Sequence, residues 1–179
     1  MVENEFSVTW EGKFARIVYE GGHIVFFERF LLATSIKKLV IVSPWISALR
    51  DEKISLEDII LMIKKHNVPT IVIMRDPERE RLNMKAAKLF RECREIDLCF
   101  NNELHAKVYI CRCAPFGFAL IGSANLSGKA TRVYEIGVMI EGKGYGREII
   151  EELDLLGRED LLNRAGTYRD PESKNIRFL

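Results

Sequence analysis

The chain has 179 residues, 47% hydrophobic and 30% charged, which suits one soluble globular domain, residues 1–179, with a sizeable core. A formal net charge of +1 gives no global field for a polyanion, so any nucleic-acid surface has to be a local patch. No N-terminal basic start leads into an apolar core, and no apolar run is long enough for a bilayer, so the expectation is a cytoplasmic protein with no membrane partner.

The stretches FSVTW and FARIVY read as short strands. HIVFFERFLLATSIKK follows with Ile24, Phe27, Leu31 and Ile36 at helical spacing. KLVIVSPW is a continuous apolar run ending at a Ser-Pro turn, the pattern of a strand covered on both faces. SLEDIILMIKKHN opens with Ser55 and has Asp58 three residues on, close to a capping box. PTIVIMRD is a second buried strand, and PERERLNMKAAKLFRECR a charged amphipathic helix with Pro77 near its first turn. DLCF, AKVYIC, FALIGS and VYEIGVMIEG read as four more strands, REIIEELDLLG and REDLLNR as helices. The core is expected over about residues 24–157, and residues 166–179 as a loosely held polar tail. Strands alternating with helices, then a run of strands, argue for an α/β domain whose mixed β-sheet is sandwiched between α-helices.

The residues with chemical potential cluster late in the chain. On a strand, residues two apart share a face, so His105 and Lys107 project together. Asn125 follows the next strand at the turn Gly122-Ser123-Ala124-Asn125, and Glu135 lies early in the strand after that. A neutral imidazole is a nucleophile. A lysine ammonium, an asparagine amide and a serine hydroxyl can donate to phosphoryl oxygens. A carboxylate on the far imidazole nitrogen fixes the tautomer and stabilises the developing charge. His105, Lys107, Asn125 and Glu135 are therefore the candidate catalytic set, and Lys107, Ser123 and Asn125 the candidate phosphate donors. No metal and no cofactor is expected.

This pattern resembles the phospholipase D superfamily, whose signature reads His-x-Lys-x4-Asp, then Gly-Ser-x-Asn, then a glutamate. His105, Lys107, Gly122, Ser123, Asn125 and Glu135 match it. The resemblance spans Ile24 to Glu141 and includes the strands KLVIVSPWIS and PTIVIMRD. One position departs: Arg112 stands where the family has the motif aspartate. Relatives such as the tyrosyl-DNA phosphodiesterases also lack that aspartate and keep activity. The resemblance implies a phospholipase D-like fold and a metal-independent phosphodiesterase working through a covalent phosphohistidine. It also implies a homodimer, because members with a single motif pair about a twofold axis. Two copies of His105 would then face one another, one as nucleophile and the other as acid. Small single-motif members are mostly nucleases, so nucleic acid is the expected substrate. The rivals are a nucleic-acid-binding or dimerisation module without turnover and, ranked lower, a phospholipase. The latter calls for an amphipathic interfacial helix, which the sequence lacks.

Other residues have plainer readings. Lys129 and Arg132, just after Asn125, are equally a basic rim for a phosphodiester backbone and an ordinary solvated loop. Trp45 reads first as a core residue and second as a base-stacking one. His23 and His66 lie outside any motif and read as structural. The spacing of Cys93, Cys99, Cys111 and Cys113 favours buried structural thiols over a zinc site.

Overall fold

The computed structural model describes residues 14–47, 53–128, 134–164 and 166–172, which leaves FSVTW, Lys129 and Arg132 outside the described residues. The described strands are β1 (Ala15–Tyr19), β2 (Ile36–Val42), β3 (Thr70–Met74), β4 (Ile96–Asn101), β5 (Val108–Cys113), β6 (Phe118–Gly122), β7 (Ile136–Glu141) and β8 (Thr167–Arg169). They form one mixed sheet in the order β1-β7-β6-β5-β2-β3-β4-β8. β2, β3 and β4 run parallel, and every other pairing is antiparallel. The helices are α1 (Gly22–Leu32), α2 (Leu56–His66), α3 (Met84–Arg91) and α4 (Tyr145–Leu155).

Side-chain alternation along the central strands creates two cores. Leu39 and Ile41 of β2, Val72 and Met74 of β3, and Tyr109 of β5 pack with Phe26, Phe27 and Phe30 of α1 and with residues of α2 and α3. Val40, Val42, Ile73 and Ile110 point the other way, toward Ile150 of α4 and Leu161. The expected mixed sheet between helices is therefore the observed architecture. Each fully buried phenylalanine of α1 contributes about 2 kcal/mol of transfer free energy, before entropy is counted. The capping box on α2 is present, with the Asp58 amide donating to the Ser55 hydroxyl at 3.0 Å and the Ser55 amide to the Asp58 carboxylate at 2.9 Å. All four cysteines are free, and three are buried. Burial pushes the Cys93 thiol up to about 11 and the Cys99 thiol up to about 12, which keeps both protonated at neutral pH.

Four elements differ from expectation. α1 stops at Leu32, and Ile36 belongs to β2 instead. Ala33 turns extended and Ser35 has φ 53, so the chain leaves the helix before Ile36 arrives. Pro77 sits in a turn, followed by a 3-10 turn Arg81–Asn83, and only then does α3 begin. REDLLNR continues α4 through a π-helical turn Leu156–Asp160 rather than forming a separate long helix. Residues 167–170 are held, not loose. β8 covers the β4 edge that would otherwise expose unpaired backbone groups. Arg169 pairs with the fully buried Asp97 at 2.6 Å, and buried Asp170 accepts from Arg91 Nε at 2.6 Å.

One buried side chain fixes the sheet end where β2 and β3 finish. Asn83 Oδ1 accepts from the Ile46 amide at 2.8 Å, while its Nδ2 donates to the Pro44 carbonyl at 2.9 Å and the Arg75 carbonyl at 2.8 Å. Replacing it would strand the Ile46 amide and the Arg75 carbonyl, while the Pro44 carbonyl would keep only its 3.3 Å bond from the Arg75 amide. Asn83→Ala should lower the unfolding free energy in urea by about 3 kcal/mol. A change under about 1 kcal/mol would mean that water replaces the clamp.

Candidate active site

Strand direction brings the candidate residues to one edge of the sheet. The carboxyl ends of β2, β3 and β6 lie beside the amino ends of β5 and β7, because β5 and β7 run against their neighbours. That edge is where ligands bind in open α/β sheets. It carries Trp45 after β2, Arg75 after β3, His105 and Lys107 before β5, Ser123 and Asn125 after β6, and Glu135 before β7.

His105 and Lys107 lie on the approach to β5 rather than within it, since pairing begins at Val108. Strand alternation is therefore not what unites them; Trp45 is. The indole meets the His105 ring edge-on at 6.4 Å between centroids, and the Lys107 ammonium lies 6.0 Å from the indole centroid. Lys107 Nζ donates to the His105 carbonyl at 2.7 Å, which holds the two residues in one fold of the chain. His105 is exposed, Lys107 and Trp45 half-buried. Trp45 is thus a wall of the site rather than only a core residue.

Arg75, absent from the sequence-derived set, completes this cluster. Its guanidinium lies 4.7 Å over the Trp45 ring and its Nη2 is 3.1 Å from His105 Nε2. Nε donates to the Leu104 carbonyl at 3.0 Å and Nη1 to Glu80 at 3.2 Å. An arginine after a buried strand is a common enough pattern that nothing in its spacing singles it out.

The Gly-Ser-x-Asn turn is built by backbone constraints. A Cβ on Gly122 would come within 2.7 Å of the Ile136 carbonyl oxygen, so the close approach of β7 requires glycine. The Gly122 amide donates to the Lys107 carbonyl at 3.2 Å, tying the turn to the His105 segment. Beyond it, the Tyr109 hydroxyl donates to the Ala124 carbonyl at 2.9 Å. The Leu126 amide donates to Ser43 Oγ at 3.1 Å, and Ser43 Oγ donates to the Trp45 carbonyl at 2.9 Å. Asn125 is held between these two anchors. Its Oδ1 is shut away from solvent without a hydrogen-bond partner among the described residues, a costly state for an amide oxygen.

Glu135 is half-buried and accepts from the Ser123 hydroxyl, which in turn accepts from the Ile136 amide at 3.1 Å. Among the described contacts none joins Glu135 to His105. The structure therefore shows two groupings at one edge, His105–Lys107–Trp45–Arg75 and Ser123–Glu135, bridged by the backbone bond from Gly122 to Lys107. Arg112 is elsewhere. It sits near the far end of β5, opposite Lys38, and its guanidinium lies 3.9 Å from Glu151 of α4. His23 is buried on α1 and His66 is exposed at the end of α2, both away from this edge. Among the described residues no three of His, Cys, Asp and Glu gather as a metal-ligand set, and no helix is long and apolar enough to cross a membrane.

No family model and no curated protein matches the chain by sequence. Solved structures do match in shape. Nuc from Salmonella typhimurium, a phospholipase D family member, superposes with a TM-score of 0.61 at 17% identity, over 87% of this chain and 98% of that one. NucT from Helicobacter pylori gives 0.57 at 14%, over 85% and 98%. TrmBL2, an archaeal chromatin protein with a novel mode of DNA binding, gives 0.55 at 12%, over 88% of this chain and 54% of its own. The chain has the fold of the phospholipase D superfamily, as its motif residues lead one to expect.

Ser43 is fully buried and links the Trp45 and Asn125 loops. Ser43→Ala should cost about 1–3 kcal/mol and, more specifically, speed hydrogen exchange at the Leu126 amide. Unchanged exchange there would show that the two loops are held independently.

Proposed function

We propose that the protein is a metal-independent phosphodiesterase acting on nucleic acid, and that two copies complete its site. The observation that carries this reading is the convergence of His105, Lys107, Ser123 and Asn125 at one sheet edge of a phospholipase D fold. The Lys107 ammonium would neutralise a non-bridging oxygen of a phosphodiester and the Asn125 NH2 would donate a hydrogen bond to one. His105 Nε2 would attack phosphorus. The N–P bond forms as the P–O bond to the leaving group breaks, and the leaving oxygen takes a proton from His105 of the second copy, which has left Arg75 and taken up a proton from solvent at Nε2 before the step. That second imidazole then removes a proton from water, the hydroxide attacks phosphorus, and the P–N bond breaks to return the free enzyme. Glu135 stays on Ser123 until the second copy or the substrate reorganises the edge, and then serves His105 Nδ1–H.

A surface for the second copy lies beside the site. Ile17, Tyr19, Ile121, Ile136 and Val138 share the sheet face that α4 covers only in part, and they are 36–54% exposed. Such a contiguous apolar strip next to polar site residues is the signature of an interaction surface. With the twofold axis near it, each copy would offer the same strand ends to a shared site.

The DNA binding of the chromatin protein TrmBL2 supports a second reading, a nucleic-acid-binding module of the same fold. Turnover separates the two. Wild type should cleave bis(p-nitrophenyl) phosphate and single-stranded DNA in excess EDTA. His105→Ala should lose at least about a thousandfold while remaining dimeric by light scattering. Lys107→Ala should lose about a hundredfold in kcat. DNA binding that survives His105→Ala in a protein with no turnover would favour the binding module. Arg112→Ala should leave both activity and dimerisation intact and shift stability by less than about 1 kcal/mol, since its ion pair is long, at 3.9 Å, and partly exposed. A large loss of activity in that variant would mean that Arg112 substitutes chemically for the motif aspartate.

A further inference from the structure

Arg75 occupies the atom that the reaction would use. Its guanidinium is always protonated and has no acceptor, so the 3.1 Å contact to His105 requires Nε2 to be the acceptor. The imidazole proton is then on Nδ1, and the Nε2 lone pair points into an N–H of Arg75. A lone pair cannot accept that bond and attack phosphorus at the same time.

The other contacts of Arg75 let it change partner without leaving the site. Nε and Nη1 hold it to the Leu104 carbonyl and Glu80, and the guanidinium lies over the Trp45 ring. Only the Nη2 bond faces the chemistry. A phosphodiester anion offers guanidinium two parallel charge-assisted bonds, whereas neutral imidazole offers one ordinary bond. The anion wins that competition, provided that it sits against the same edge as Lys107 and Asn125.

We propose that Arg75 is an anion-operated cap on the nucleophile: it covers His105 Nε2 in the free protein and leaves it for a non-bridging phosphate oxygen when a phosphodiester binds. The cap rests on the phosphodiesterase reading for its purpose, but its two parts, covering the imidazole and binding the anion, are measurable without turnover. It makes the nucleophile available only when its substrate is in place. It also means that Trp45 presents one face to a cation, so this face is closed to a stacked base while the cap is on.

The test begins with the unmodified protein. Nitrogen-15 spectra of the ring should show His105 as the Nδ1–H tautomer with Nε2 accepting a bond; an Nε2–H tautomer in the free protein overturns the cap. The second measurement is carbethoxylation by diethyl pyrocarbonate, read by peptide mass spectrometry, with exposed His66 as the reference in the same molecule. Removing the cap in Arg75→Ala should raise the His105-to-His66 rate ratio by at least about fivefold. Arg75→Met keeps an apolar stem on Trp45 and should do the same if the alanine variant fails to fold. An unchanged ratio in a folded variant overturns the proposal. The third measurement is tungstate binding by calorimetry, which Arg75→Met should weaken by about tenfold or more; unchanged affinity removes the anion from the account. Capping and tungstate binding in a protein without cleavage would support the cap and sink the hydrolase reading. Cleavage with a wild-type KM in Arg75→Met, together with an unchanged carbethoxylation ratio, would do the reverse.

Discussion

The site depends on β5 running against both of its neighbours. β2 and β6 both end where β5 begins, so the loop carrying His105 and Lys107 lands between the Trp45 loop and the Gly-Ser-x-Asn turn. A parallel β5 would carry the same motif to the opposite edge, some 15–20 Å away by the length of a strand. The register is fixed by the alternation of Val108 and Ile110 toward one core and Tyr109 and Cys111 toward the other. A slip by one residue would bury the wrong face and rotate the approach to the strand with it.

Once the edge is assembled, buried hydrogen bonds hold it. Asn83 ties the ends of β2 and β3, and Ser43 with Tyr109 ties the Asn125 loop to β2 and β5. These neutral polar groups are fully buried and well partnered, which makes their loss expensive and their geometry unique. The charged groups behave differently. Lys107, Arg75 and His105 gather on Trp45, and the carboxylates of Glu80 and Glu135 are engaged by Arg75 and Ser123. Two cations beside an imidazole create a local attraction for phosphate in a chain whose net charge is only +1. The patch is local, as a nearly neutral composition demands.

Much of this was legible in the sequence because it is written in short-range pattern. His105, Lys107, Gly122, Ser123 and Asn125 have the spacing of a recognisable motif, and the continuous apolar runs in KLVIVSPW and PTIVIMRD report strands buried on both faces. What was not legible arises from tertiary contact. Arg75 and Asn83 lie 30 and 22 residues before His105 in the chain and acquire their roles only when β3 and the turn after it dock on the β2 loop. Ile36 matched the helical period by coincidence, and the positive φ at Ser35 overrides the pattern. β8 was unreadable for a similar reason: three residues have no period, and their strand exists because the β4 edge needs a partner. Gly122 had a clear place in the motif but a different cause from phosphate binding, the close passage of β7.

The central claim is that His105 itself forms a bond to phosphorus. The direct measurement is a rapid quench of wild-type protein with a DNA substrate in excess EDTA, held alkaline to protect the phosphoramidate and read by peptide mass spectrometry. The account predicts a nucleotide adduct on the peptide that carries His105, rising and decaying within a turnover and missing in His105→Ala. Steady cleavage with no adduct at any time, or cleavage that stops when divalent ions are removed, would contradict it.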